Sequence, residues 1–128
     1  MFLGLRTVIY PAPDLARSKA WFTEILGTAP YFDEPFYVGF NVEGYELALD
    51  PEGDPARGPV TFWGVADADV ALARLLEAGA EPGSPVADVG DGIRVATVIE
   101  AGGSVLGIIE NPHFELIPDH SPPRGPGR

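Results

Sequence analysis

Glu46 is the residue whose type and neighbours best suit it to chemistry in this chain. It lies in the run Tyr45-Glu46-Leu47-Ala48-Leu49, whose strand-like alternation projects Glu46 and Ala48 from one face. A carboxylate there can receive a ligand cation, or act as a base where burial raises its proton affinity. Arg94 is the complementary charge, able to pair with Glu46 or a ligand anion, or to stand as a surface strand residue. Tyr31, Phe32, Phe36 and Tyr37 form an aromatic segment suited to a cavity mouth or to core packing. Trp21 and Trp63 fit packing or a subunit contact. Cysteine is absent, which excludes disulfides, thiolate metal sites and thiol nucleophiles. The two histidines, His113 and His120, fall at or beyond the last expected strand. No Ser/His/Asp arrangement, phosphate loop or dinucleotide fingerprint is present.

The elements that must position these residues are short and clearly punctuated. Leu5 to Tyr10 is rich in β-branched and aromatic residues and stops at Pro11-Ala12-Pro13, which predicts a strand. Asp14 stands where a helix N-cap belongs. Leu15, Ser18, Phe22, Ile25 and Leu26 then recur at helical spacing, and Gly27 supplies the stop. Strands are expected over Phe36–Val42 and Tyr45–Leu49, joined by the turn at Glu43-Gly44, before the loop Asp50 to Pro55.

The same order then repeats. Val60–Val65 reads as a strand and Asp67 or Asp69 as a cap. Ala68, Leu72, Leu75 and Leu76 form a helical stripe, and Gly79 is the stop. Ile93–Ile99 and Val105–Ile109 read as paired strands. The halves superpose at an offset of about 53 residues, placing Thr7 on Val60 and Asp14 on Asp67. Two modules of this size must cover each other.

With this order in hand, the chain resembles the vicinal oxygen chelate superfamily, which includes glyoxalase I, bleomycin-resistance proteins and extradiol dioxygenases. The resemblance is carried by Tyr10-Pro11-Ala12-Pro13-Asp14-Leu15, Trp21-Phe22, Leu26-Gly27, Val65-Ala66-Asp67, Glu77-Ala78-Gly79-Ala80 and the closing run Leu106 to Pro112. It implies an α+β fold of two βαβββ modules, whose curled mixed sheets surround a cavity with helices outside. The modules span about 5–50 and 59–112 of a single domain over 1–114, followed by a Pro/Gly-rich tail over 115–128. Many members dimerise, so a homodimer is expected. Metal-dependent members place His or Glu on the first and last strand of each module. Carried over, those positions are Thr7, Ala48, Val60 and Gly107, none of which offers a strong divalent-metal donor. No metal and no cofactor are expected. If Thr7 faces the cavity, alternation brings Ile9, Glu46, Ala48, Phe62, Gly64, Val105 and Gly107 to the same face. Small residues there either leave room for a ligand, with Phe62 stacking on it, or let the sheets approach.

Charge narrows the partners. The formal net charge is -11, with 8 basic against 19 acidic residues, a poor footprint for nucleic acid or an anionic membrane surface. A cationic ligand would be attracted, though the charge also serves solubility. Met1 to Arg6 shows no secretory pattern, and no apolar run approaches the roughly 20 residues of a membrane span. The expectation is a cytoplasmic protein that binds a small organic molecule without metal, the ligand being cationic and aromatic. Its cavity candidates are Thr7, Ile9, Glu46, Ala48, Val60, Phe62, Arg94 and Gly107. A lyase, isomerase or dioxygenase with a displaced or metal-independent site, and a protein-interaction module, are the alternatives.

Overall fold

Each half of the chain builds a layer of strands backed by one helix, in a computed structural model that describes residues 1–113. The expected tail, and His120 within it, lie outside the described residues. The first half runs β1 (Gly4–Pro11), α1 (Leu15–Leu26), β2 (Phe32–Glu34), β3 (Tyr37–Val42) and β4 (Tyr45–Asp50). A single 3-10 turn at Pro55–Arg57 leads into the second half. That half is β5 (Val60–Gly64), α2 (Ala68–Glu77), β6 (Glu81–Pro82), β7 (Ala87–Asp88), β8 (Arg94–Ile99) and β9 (Val105–Glu110).

The strands form one mixed sheet in the order β2-β3-β4-β1-β5-β9-β8-β6, with β7 also on β8, and it curls without closing. The halves join where β1 meets β5 antiparallel, while β1–β4 and β5–β9 are parallel. The fold is α+β, as the resemblance implied.

Local chemistry sets the helix ends. The Asp14 carboxylate accepts from the Arg17 N–H at 3.2 Å, and Asp67 accepts from Val70 N–H at 3.1 Å. Asp67 is therefore the second cap, and Asp69 is left free for another role. Gly27 takes a left-handed conformation at φ 72°, and its N–H returns to the Thr23 carbonyl, as a helix-ending glycine does. In the β3–β4 hairpin, Glu43 and Gly44 both have positive φ, 57° and 90°, the requirement of a two-residue turn matched to strand twist.

Two apolar cores lie between helices and sheet. Ala12, Val38, Phe40 and Leu49 are buried under α1 with Leu15, Phe22 and Leu26. Val65, Ala68, Ala71, Ala96 and Ile108 are buried with α2, with Leu72 and Leu75 beside them. The stripes are narrower than expected: Ile25 is 61% and Leu76 36% exposed. Each lies roughly 80° round its helix from the residue that begins the buried stripe, at 3.6 residues per turn. The sequence also gave no sign of β2, β6 or β7, which are two or three residues long and too short to show a period. Phe36 belongs to the turn before β3 rather than to the strand. Among the described residues, no helix is long and apolar enough to cross a membrane.

Candidate functional site

The strand registers arrange most of the candidate residues in two rows across the face turned away from the helices. Asn41, Glu46, Thr7, Phe62, Gly107 and Thr97 are successive cross-strand partners in the first row. Gly39, Ala48, Ile9 and Val60 make the second. Rows two residues apart share a face, so Thr7, Ile9, Glu46, Ala48, Val60, Phe62 and Gly107 all lie on the inner side.

Over the first module, Glu46 is the hub of a hydroxyl cluster. Its Oε1 accepts from the Thr7 hydroxyl at 2.9 Å and the Tyr37 phenol at 2.8 Å, while Oε2 accepts from the Tyr31 phenol at 2.5 Å. Three of the roughly four acceptor positions of a carboxylate are thus occupied. Gly39 makes the arrangement possible, because a Cβ there would stand 2.5 Å from Glu46 Oε2 and 3.2 Å from the Tyr31 ring. Burial first, and then the adjacent Glu46 carboxylate, push both phenols well above the ordinary tyrosine range. Both therefore remain donors. The aromatic segment supplies this cluster, with Phe32 packed edge-on to Phe36 and Tyr37.

Over the second module the same face opens into a cavity of about 610 Å³. Its floor is Ile9, Val60, Phe62, Ile99 and Val105, and its polar wall includes Asp50, Arg57, Ser84 and Thr97. Thr97 pins the segment Gly83-Ser84. Its carbonyl accepts from Gly83 N–H at 3.1 Å, its N–H donates to the Ser84 carbonyl at 3.1 Å, and its hydroxyl oxygen accepts from Ser84 N–H at 2.8 Å.

Several residues occupy roles other than those expected. The space over Gly107 is filled by Phe62, whose ring would lie 2.5 Å from a Cβ there. The space over Gly64 is filled by Arg6, whose Nε would lie 2.6 Å from one. A register shift between Leu5 and Thr7 brings Arg6 to the Gly64 side, where simple alternation would not put it. Ala48 is fully buried. Arg94 does not join this face: it pairs with Asp69 at 2.8 Å and lies 3.6 Å from Glu110. Glu110 accepts from the Ala68 N–H at the start of α2, so this ion pair belongs to the helix side of the sheet. Arg94 is corrected to a strand–helix tether. Arg57 and Ser84 were missed because they come from a loop and a short irregular segment with no periodic signal, and Asp50 and Thr97 because nothing in β4 or β8 marked them as facing a cavity.

Residues 4–106 match the model of the Glyoxalase/Bleomycin resistance protein/Dioxygenase superfamily. The chain belongs to that superfamily. Solved structures agree in fold. An NAD-dependent benzaldehyde dehydrogenase from Legionella pneumophila superposes with TM-score 0.67 at 18% identity, over 81% of this chain and 96% of that one. A glyoxalase/bleomycin resistance protein/dioxygenase superfamily member from Vibrio splendidus 12B01 gives 0.66 at 17%, over 84% and 99%. Methylmalonyl-CoA epimerase from Mycobacterium tuberculosis gives 0.65 at 22%, over 85% and 88%. Among curated proteins no sequence matches.

The superfamily's metal-dependent members frame a test of this inner face. At the four carried-over positions the chain presents a hydroxyl, a methyl, an isopropyl group and a hydrogen, on Thr7, Ala48, Val60 and Gly107. Among the described residues no group of three or more His, Cys, Asp or Glu side chains could hold a metal ion. Glu46 is a single carboxylate already bound by three hydroxyls. The residues of this superfamily member do not fit a divalent metal at that place.

Proposed function

We propose that this chain binds a small organic molecule without a metal, in the cavity over β1, β5, β8 and β9. The observation that carries the reading is the cavity itself. Its volume of about 610 Å³ lies within the roughly 300–1,000 Å³ of small-molecule sites, and it combines an apolar floor with a few polar wall groups, as such sites do. Acid–base catalysis through Glu46 is the competing reading. It is less well supported, because a base needs a free lone pair facing its substrate and three hydroxyls already occupy this carboxylate.

The test combines elemental analysis with a thermal-shift screen of small organic compounds. Dialysed protein is expected to carry no stoichiometric Zn, Fe, Mn or Ni, and compounds that fill the cavity should raise its melting temperature by mass action. One tightly held metal per chain would end the metal-independent reading.

A homodimer is part of the same proposal. Edge strand β2 exposes Phe32, with Tyr31 and Phe36 beside it, and unpaired edges carrying apolar side chains usually require cover. Light scattering at tens of micromolar is expected to give twice the 13.6 kDa chain mass, and a monomer throughout that range would contradict it.

A further inference from the structure

The cavity wall says more about the ligand than the formal charge of -11 does. Glu46, which suggested a cation, is not on that wall, whereas Arg57 is. Arg57 is exposed, and it makes no ion pair within 4.0 Å among the described residues. Asp54 accepts from Ala56 N–H at 2.9 Å, and Asp50, on the same wall, accepts from Glu52 N–H at 2.8 Å through Oδ1. The Thr97 hydroxyl oxygen is held as an acceptor by Ser84 N–H, which leaves its own O–H available to donate. The wall therefore offers the Arg57 guanidinium, the Asp50 carboxylate and two hydroxyls beside the apolar floor of Ile9, Val60 and Phe62.

The geometry points to an amphipathic carboxylate as the ligand class, its head on Arg57 and its apolar body over Ile9, Val60 and Phe62. This rests on the cavity being the binding site. A guanidinium presents its donors in a planar fork that matches a carboxylate's two oxygens, and such charge-assisted pairs are about twice as strong as neutral ones. A cationic ligand would instead place like charge against Arg57, with Asp50 as its counter-ion on the wall.

Calorimetric titration of the full chain with three matched probes tests this: indolepropionate, tryptamine and tryptophol, which share an indole body and differ in the head group. Indolepropionate should bind tightest, about tenfold better than the neutral alcohol, with tryptamine weakest. Arg57→Gln should remove that advantage, bringing indolepropionate down to the affinity of tryptophol, while Arg57→Lys should keep part of it. Because Arg57 is exposed, neither substitution should disturb folding. Equal binding of all three probes, unaffected by Arg57→Gln, would overturn the carboxylate assignment and leave the cavity as a binding site. A preference for tryptamine would overturn it as well. Failure of every probe to bind at millimolar concentration would count against the cavity reading itself.

Discussion

Phe40→Ala should destabilise the fold by about 3–5 kcal/mol. Phe40 is fully buried on β3, where its ring meets Phe22 of α1 at 6.3 Å between centroids. Phe22 also contacts Tyr10 of β1 at 5.5 Å, so the ring on β3 helps fix the helix against both strands that flank Glu46. Truncation removes the buried area and leaves a cavity that the sheet cannot close, since the β3–β4 register is held from Val38 to Val42. Trp21 provides the contrast. It touches the same Phe22 edge-on at 4.9 Å but is 55% exposed, and its truncation should cost much less. Urea titration checks both, read from the midpoint at unchanged slope. Equal losses for the two variants would show that α1 is not held through Phe40.

The elements and their order were legible because they rest on local rules. Asp14, Gly27 and Asp67 act where capping chemistry needs a short acceptor or a left-handed residue, and Glu43-Gly44 turns because the hairpin requires positive φ at both positions. Glu46 was legible as the polar residue of the inner face by alternation alone. Its partners were not, because Tyr31 reaches it across Gly39, and Tyr37 through the pairing of β3 with β4, both set by tertiary placement. The small residues stayed open between room for a ligand and close approach of the sheets for a related reason. A glycine in sequence signals space, but whether a ligand or a neighbouring ring fills it depends on tertiary placement, and at Gly107 it is Phe62. Arg94 and Arg57 show the limit most clearly. Both are arginines beside acidic residues in sequence, yet one is drawn to Asp69 on the helix side while the other stands at the cavity.

Above about pH 10, where an ordinary phenol loses its proton, the stability of this protein should fall steeply, and Tyr37 should account for most of the slope. In the fold, burial and then Glu46 hold Tyr37 protonated well beyond that point; in the unfolded chain nothing does. Over this interval the native state carries one more proton than the unfolded state. Each rise of one pH unit therefore removes about 1.4 kcal/mol of stability. The contribution is complete below the unfolded value and is lost as pH climbs towards the folded one. Tyr31 adds a smaller part, because it is 52% exposed and water screens its interaction with Glu46. Tyr37→Phe should flatten the alkaline slope. Glu46→Gln should retain it over a shorter interval, because the substitution removes the charge that opposes a phenolate but leaves the desolvation in place. Urea midpoints measured from about pH 9 to 11, alongside phenolate absorbance, would separate these outcomes. A Tyr37→Phe variant with the alkaline slope of the unaltered chain would show that the Glu46 cluster does not control its phenols.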